Sequence, residues 1–238
     1  LTRILIIIFV LFSLVSIGFF VAKKFKKIEP PPPPFSEETE KKSLETQQRE
    51  EPQKSKIIVS SPLIPVNKEM EIEIQKNESL KDKILREMQK EITEGSIIRI
   101  ILKNLSENRL VTLEEILNDF QIWRPFGTLE KIEDFTLAIY SQKEGNRIIL
   151  VAKIKEGKKL DELPSWEKKI EKEGIFFSGK KIYTISKKFN EILIEGAKIR
   201  FLTISKNDLG ICYCVVNDYF IFTNSLTSMK RVIELIKR

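Results

Sequence analysis

Two thiols stand two residues apart, at Cys212 and Cys214, and the chain contains no histidine. A structural zinc centre draws four ligands mainly from cysteine and histidine. This chain offers two sulfurs and no imidazole, and nothing in the spacing of its Asp and Glu residues supplies the rest. At i and i+2 of a strand the two sulfurs point to one face, a poor arrangement for a mutual disulfide. Cys212 and Cys214 therefore read as small buried apolar side chains, and the expectation is no metal. The missing histidine also removes the commonest general base, so a Ser-His-Asp or Cys-His site cannot form within the chain. Carboxylate-only chemistry stays open without a motif behind it. Thr223-Asn224-Ser225 has the residue types of a polar catalytic loop, but it stands just ahead of an amphipathic stretch, where it would cap a helix. The expectation is a protein that is not an enzyme and binds no cofactor.

Residues that could make contacts are easier to find. Trp123-Arg124-Pro125-Phe126 forms a loop in which Trp123, Arg124 and Phe126 are residue types enriched in interface hot spots. They form a candidate contact surface; the competing reading folds the aromatics back onto the core. Lys180-Lys181 and Lys187-Lys188 could face phospholipid head groups, or they are solvated turn and strand-edge lysines.

The net charge of +7 is unevenly spread. Arg3, Lys23, Lys24, Lys26 and Lys27 flank the first apolar run with no acid among them, and residues 28–80 are net acidic. The later positive excess is interleaved with acids. That pattern differs from the one-sided, aromatic-studded charge of a nucleic-acid binder, so nucleic acid is not an expected partner.

Ile4–Ala22 is an uninterrupted apolar run without charge, closed by Lys-Lys-Phe-Lys-Lys. As a helix it would extend roughly 28 Å, close to a bilayer core of ~30 Å. The run exceeds a usual signal-peptide core and no small-residue cleavage site follows. It predicts a single-pass anchor, making the lipid bilayer a partner. Pro30–Pro34 then predict a stiff polyproline II rod. Ser36–Lys56 is nearly all Glu, Lys, Gln, Ser and Thr, a composition with too little apolar surface to fold. The expected organisation is an anchor with a basic flank over 1–27, a Pro-rich charged disordered linker over 28–56, and a folded domain over 57–238.

Within the domain the periodicities predict an α+β fold, a largely antiparallel sheet covered by helices. Strand character appears at Ile57–Val59, Met70–Ile74 and Ser96–Lys103. Helices are expected at about Ser79–Ile92, from Thr112 to Phe120 with a Thr112/Glu115 capping box, and at about Leu160–Glu173. Phe135–Gln142 and Arg147–Lys155 alternate and read as a hairpin around Lys143–Asn146. Further strands are expected at Ile182–Ile185, Glu191–Ile194, Lys198–Ile204, Ile211–Val216 and Tyr219–Thr223. Asn217-Asp218 turns between the last two, and Ser225 caps a terminal helix. Strand-hairpin-helix patterns near 135–173 and 211–238 suggest a weak internal similarity.

Asp208-Leu209-Gly210-Ile211-Cys212-Tyr213, followed by Asn217–Ser225 and a helix, resembles a segment of uncharacterised single-pass membrane-anchored proteins of small-genome candidate-phylum bacteria. Ser61–Val66 and Phe135–Ile154 share the resemblance, which covers about residues 60–238. It implies a bacterial, membrane-tethered domain of unknown function whose soluble part is extracytoplasmic, and it transfers no catalytic residue. The leading expectation is an envelope protein that binds another protein in a scaffold or assembly role. The alternative is a tethered carboxylate-based hydrolase or ligand-binding domain, which needs a deep pocket. Four lysines after the anchor would by themselves hold the domain in the cytoplasm. The leucine at position 1 suggests upstream residues, commonly basic in such leaders, and the proline rod suits projection into an envelope. An alkaline phosphatase fused after Arg238 is expected to be active; a fluorescent, phosphatase-negative fusion would place the domain in the cytoplasm.

Overall fold

Residues 57–120, 127–177 and 180–238 are described by the computed structural model. The anchor run, the linker and the Trp123, Arg124, Phe126 surface lie outside those residues. Among the described residues no helix is long and apolar enough to cross a membrane.

The chain enters the sheet at β1 (Lys68–Ile74), crosses through α1 (Leu80–Met88) and returns in β2 (Ile97–Asn104), parallel to β1. Ser79 caps α1 by accepting the Asp82 amide at 3.2 Å. A short β3 (Arg109–Leu110) folds back on β2 and leads to α2 (Leu113–Asp119), which opens with the Thr112/Glu115 capping box. The Arg109 guanidinium beside Glu115 holds that carboxyl at about 2, despite some burial.

β4 (Ile132–Gln142) and β5 (Gly145–Ile154) form the long hairpin, closed more tightly than the sequence suggests: Gln142 already pairs with Gly145. α3 (Leu163–Glu173) follows, with Pro164 in its first turn, where no amide hydrogen is needed. β6 (Ile175–Phe177) and β7 (Lys180–Ile182) form a separate small hairpin. β8 (Asn190–Ile194), β9 (Ala197–Ser205), β10 (Leu209–Val216) and β11 (Tyr219–Thr223) run as a meander into the terminal helix α4 (Leu226–Ile236).

The main sheet has nine strands in the path β1-β2-β4-β5-β11-β10-β9-β8, with β3 beside β2, and only the β1–β2 pair is parallel. This is the expected α+β fold with a mostly antiparallel sheet. Pro52–Arg238 form one compact unit. Its three buried apolar clusters are drawn from the described residues, so it carries the core needed to fold on its own.

The central strands are apolar on both faces, because alternation sends successive residues to opposite sides. Ala138, Ile149, Val151, Ile221, Cys212 and Cys214 face α4, whose Met229, Val232 and Ile233 are fully buried against them. Each such side chain contributes about 1.5–3 kcal/mol relative to leaving it in water. Leu137, Ile139, Ile100 and Leu102 face the opposite way, toward α1 and α2. Leu202, Ile211 and Tyr213 share that second face with α3. α3 and α4 therefore lie on opposite faces, so the two strand-hairpin-helix segments are not equivalent repeats.

Three expectations need correction. Ile57–Val59 form no strand, and Ile58 is 89% exposed; the β-branched run has no neighbouring edge to pair with. The strand placed at Ile182–Ile185 is instead the end of β7 and an irregular stretch, in which Ile185 N donates to Thr203 O at 2.8 Å. The first helix stops at Met88, although Ile92 still packs on its cluster.

A polar interlock positions α4. Ser225 Oγ accepts the Ser228 amide at 3.0 Å and donates to Gln142 Oε1 at 2.9 Å. From the β9–β10 turn, Asp208 accepts the Leu226 amide at 2.8 Å and the Thr227 amide at 3.0 Å. Arg147 closes the other side, donating to the Asp208 and Asn207 carbonyls. Burial works to raise the Asp208 pKa, but hydrogen bonds from Thr227, Leu226 and Gln142 hold the carboxyl below its usual value. A lowered folded-state pKa supplies stability that is full above the unfolded value, about 3.9, and is lost as pH falls through the folded one. Thermal melts from pH 7 to pH 2 should show the wild type losing stability below about pH 4. Asp208→Asn should start less stable at pH 7 and show a shallower fall over that window.

Candidate functional site

The helices of the second face do not close over it. α1 and α2 pack on each other above β1, β2 and β4, and α3 sits above β9 and β10. Between the two groups the sheet is floored by Leu137, Leu150, Ala152, Phe220 and Phe222. The registers place these residues side by side: Leu137 opposite Leu150, Leu150 opposite Phe222, and Ala152 opposite Phe220. Ile84, Ile116 and Phe120 form one wall; Leu163 and Trp166 form the other. The result is an apolar cavity of about 100 Å³, with Thr128 the one polar side chain among its described lining residues. The Thr128 hydroxyl is buried without a hydrogen-bond partner, as is Glu162 Oε2, next in sequence to the lining Leu163. Glu162 Oε1, in contrast, is bonded by Lys131 Nζ, which also donates to Lys159 O at 2.8 Å.

No carboxylate is among the described lining residues; Glu162 stands beside Gly127, the residue before Thr128. A hydrogen-bonded titratable group lies elsewhere, under α3. Glu167 accepts Arg200 Nε at 2.7 Å and Arg200 NH2 at 2.6 Å, and Tyr213 donates to its Oε1 at 2.5 Å. Trp166, Phe189 and Tyr213 surround it, with the Trp166 and Tyr213 rings 5.5 Å apart at 65°. Burial and the bond to Glu167 push the Tyr213 phenol up, away from any proton-transfer range near neutrality. Both carboxylate oxygens are already engaged, so the group clamps α3 to β9 and β10.

Cys212 and Cys214 are free and buried on the α4 face, where the Cys214 thiol contacts Met229 Sδ at 3.4 Å. Burial pushes both thiols up to about 12, which suppresses the reactive thiolate. Among the described residues no cluster of three potential metal ligands forms. Thr223-Asn224-Ser225 is a capping element: Thr223 Oγ1 donates to Ser225 O at 2.7 Å, and Asn224 Oδ1 accepts the Ile148 amide at 2.9 Å. Lys181 is exposed on β7, and Lys187 and Lys188 are exposed on the chain between β7 and β8. No protein-family model, curated protein or solved structure matches the chain.

The cavity escaped sequence reasoning because its floor comes from three strands and its walls from three helices far apart in the chain. The one local signal was a set of apolar residues on both faces of β5. Glu167 was masked in the same way, as one Glu among many on an amphipathic helix. Its replacement gives a direct test. Glu167→Ala removes the acceptor of the buried Tyr213 hydroxyl and two of the Arg200 bonds, leaving Arg200 only Glu191, and should cost about 3 kcal/mol. Glu191→Ala, at the exposed end of the same ion-pair set, should cost under about 1 kcal/mol in the same urea titration.

Proposed function

We propose that this chain is a non-enzymatic, single-pass envelope protein whose α+β domain binds an extended segment of another protein along the β8 edge. Ile4–Ala22 is the anchor in this reading, residues 28–56 the spacer, and the domain lies outside the cytoplasm. The bacterial envelope assignment comes from the sequence resemblance and the apolar run.

The observation that carries the docking edge is the contrast between the two ends of the sheet. The β1 end presents Glu69, Glu71 and Glu73, two of them ion-paired with Arg99 and Lys103. Charge of this kind blunts an edge strand. The β8 end presents Leu193, 68% exposed, and Ile192, 41% exposed. The chain leading into it adds Tyr183 and Ile185, 87% and 57% exposed. Four of the seven exposed large apolar side chains among the described residues therefore fall on one edge. β8 pairs with β9 on one side, and among the described residues no strand pairs with its other side. Its outer backbone groups are free to accept an added strand, with alternate side chains read by the flanking apolar surface. Gly174–Asn190 carry four lysines and no acid, so the complementary segment is acidic.

A photo-crosslinking residue replacing Leu193 in the anchored full-length protein should yield a defined adduct in cells. The adduct should map to an acidic extended segment of one protein. The same residue replacing Glu73 on the β1 edge should yield none. Ile192→Lys with Leu193→Lys should abolish the adduct while leaving the thermal melt within a few degrees. Equal adducts from both edges, or an adduct of the chain with itself alone, would overturn the assignment.

A further inference from the structure

The cavity between the two helical groups is separate from the β8 edge and answers to different chemistry. We propose that it binds the alkyl chain of a small amphipath whose head group donates a hydrogen bond.

Three observations converge on that ligand. The first is the lining. Floor residues Leu150, Ala152 and Phe222 and wall residues Ile116 and Leu163 offer no polar side-chain atom to hold water, and an apolar cavity of this kind stays dry. An engineered apolar cavity of ~150 Å³ takes up benzene. A cavity of about 100 Å³ has room for the last few carbons of an alkyl chain. The second is position. Three of the four described helices lie on this face, yet they leave an enclosed gap above the buried Leu137, Leu150 and Ala152. A gap lined by such residues favours another apolar group over water.

The third observation concerns the head. Thr128 Oγ1 and Glu162 Oε2 are both buried and both lack a partner. A buried acceptor left without a donor is costly. The Lys131 bond holds the Glu162 carboxyl below its usual value, so it is anionic at neutral pH. A hydroxyl or amino head satisfies these oxygens. A carboxylate head brings a second negative charge and no proton to donate. Ligand sites commonly combine a mostly apolar wall with a few polar groups that fix orientation, and this site has that composition.

The test uses the autonomously folding fragment 52–238, free of the membrane run. 1-Octanol is titrated against octanoate, followed by methyl chemical shifts of Leu137 and Leu150 and by the melting temperature. Octanol should saturate and raise the melting temperature, and octanoate should bind at least about tenfold more weakly. Ala152→Leu, which fills the floor, should abolish octanol binding without lowering the melting temperature of the free protein. Thr128→Val keeps the volume and removes the hydroxyl; it should weaken octanol several-fold. It carries the test should Ala152→Leu fail to fold. Non-saturating shifts, or octanol binding unchanged in both variants, would overturn the site. Equal binding of octanol and octanoate would overturn the assigned head group. The Ile192→Lys, Leu193→Lys variant should bind octanol like the wild type, so failure of the docking edge and failure of the cavity read out separately.

Discussion

Burial of the central strands on both faces is the constraint on which the rest of this structure depends. In β5, Ile149 and Val151 are fully buried beneath α4, while Leu150 and Ala152 are buried on the opposite side. A strand that is apolar on successive residues cannot leave either face to water. Each face therefore needs a cover, and the chain provides two of unequal quality. α4 and the Leu63–Val66 segment close one face with continuous packing. The other face is divided between α1 with α2 and α3, which belong to different stretches of the chain and leave a seam between them. Cover on one face sets the sheet's stability, and the incomplete cover on the other creates its cavity.

That division explains where the polar chemistry went. Covering helices must end somewhere, and their free amides and carbonyls must be satisfied. Asp208, Gln142 and Ser225 are spent on the start of α4. Glu115 and Thr112 are spent on α2. Glu167 ties α3 down through Arg200 and Tyr213. Residue types that suggest catalysis in a linear reading thus act as fasteners, each with its hydrogen-bonding capacity taken up. The close approach of Gly210 to β9 belongs with them. A Cβ there would stand 2.4 Å from the Leu202 carbonyl oxygen, so this register shift admits only glycine.

Elements with strong periodicity were legible in the sequence. The 3.6-residue stripe of Met229, Val232, Ile233 and Ile236, the β4–β5 alternation and the Thr112/Glu115 box each act through neighbours within a few residues. The α+β class followed from their order. What was not legible depends on partners distant in the chain. The parallel pairing of β1 with β2 needs the crossover through α1 to be seen in space. The β6–β7 hairpin is only three residues deep on each side, too short to set a period. Ile57–Val59 has strand residues and no strand, because propensity cannot supply a pairing edge. The cavity fell outside reach for the same reason: no single segment contains it. Glu162 and Thr128 look like ordinary loop residues until the lack of a partner on each is known.

The two ends of the sheet complete the argument. A nine-stranded open sheet must manage two edges, and the same device would serve at both if solubility were the whole requirement. β1 uses it: its glutamates face outward, and Glu71 and Glu69 are held by Lys103 and Arg99 from the neighbouring strand. β8 carries one such carboxylate, Glu191, held in the same way by Lys198 and Arg200 of β9. Beside it Ile192 and Leu193 stand exposed on the edge. Two more apolar side chains, Tyr183 and Ile185, lie just upstream, where the backbone still bonds to β9 at Thr203. The two edges of the sheet therefore differ in chemistry: carboxylates line β1, while Ile192 and Leu193 stand exposed on β8.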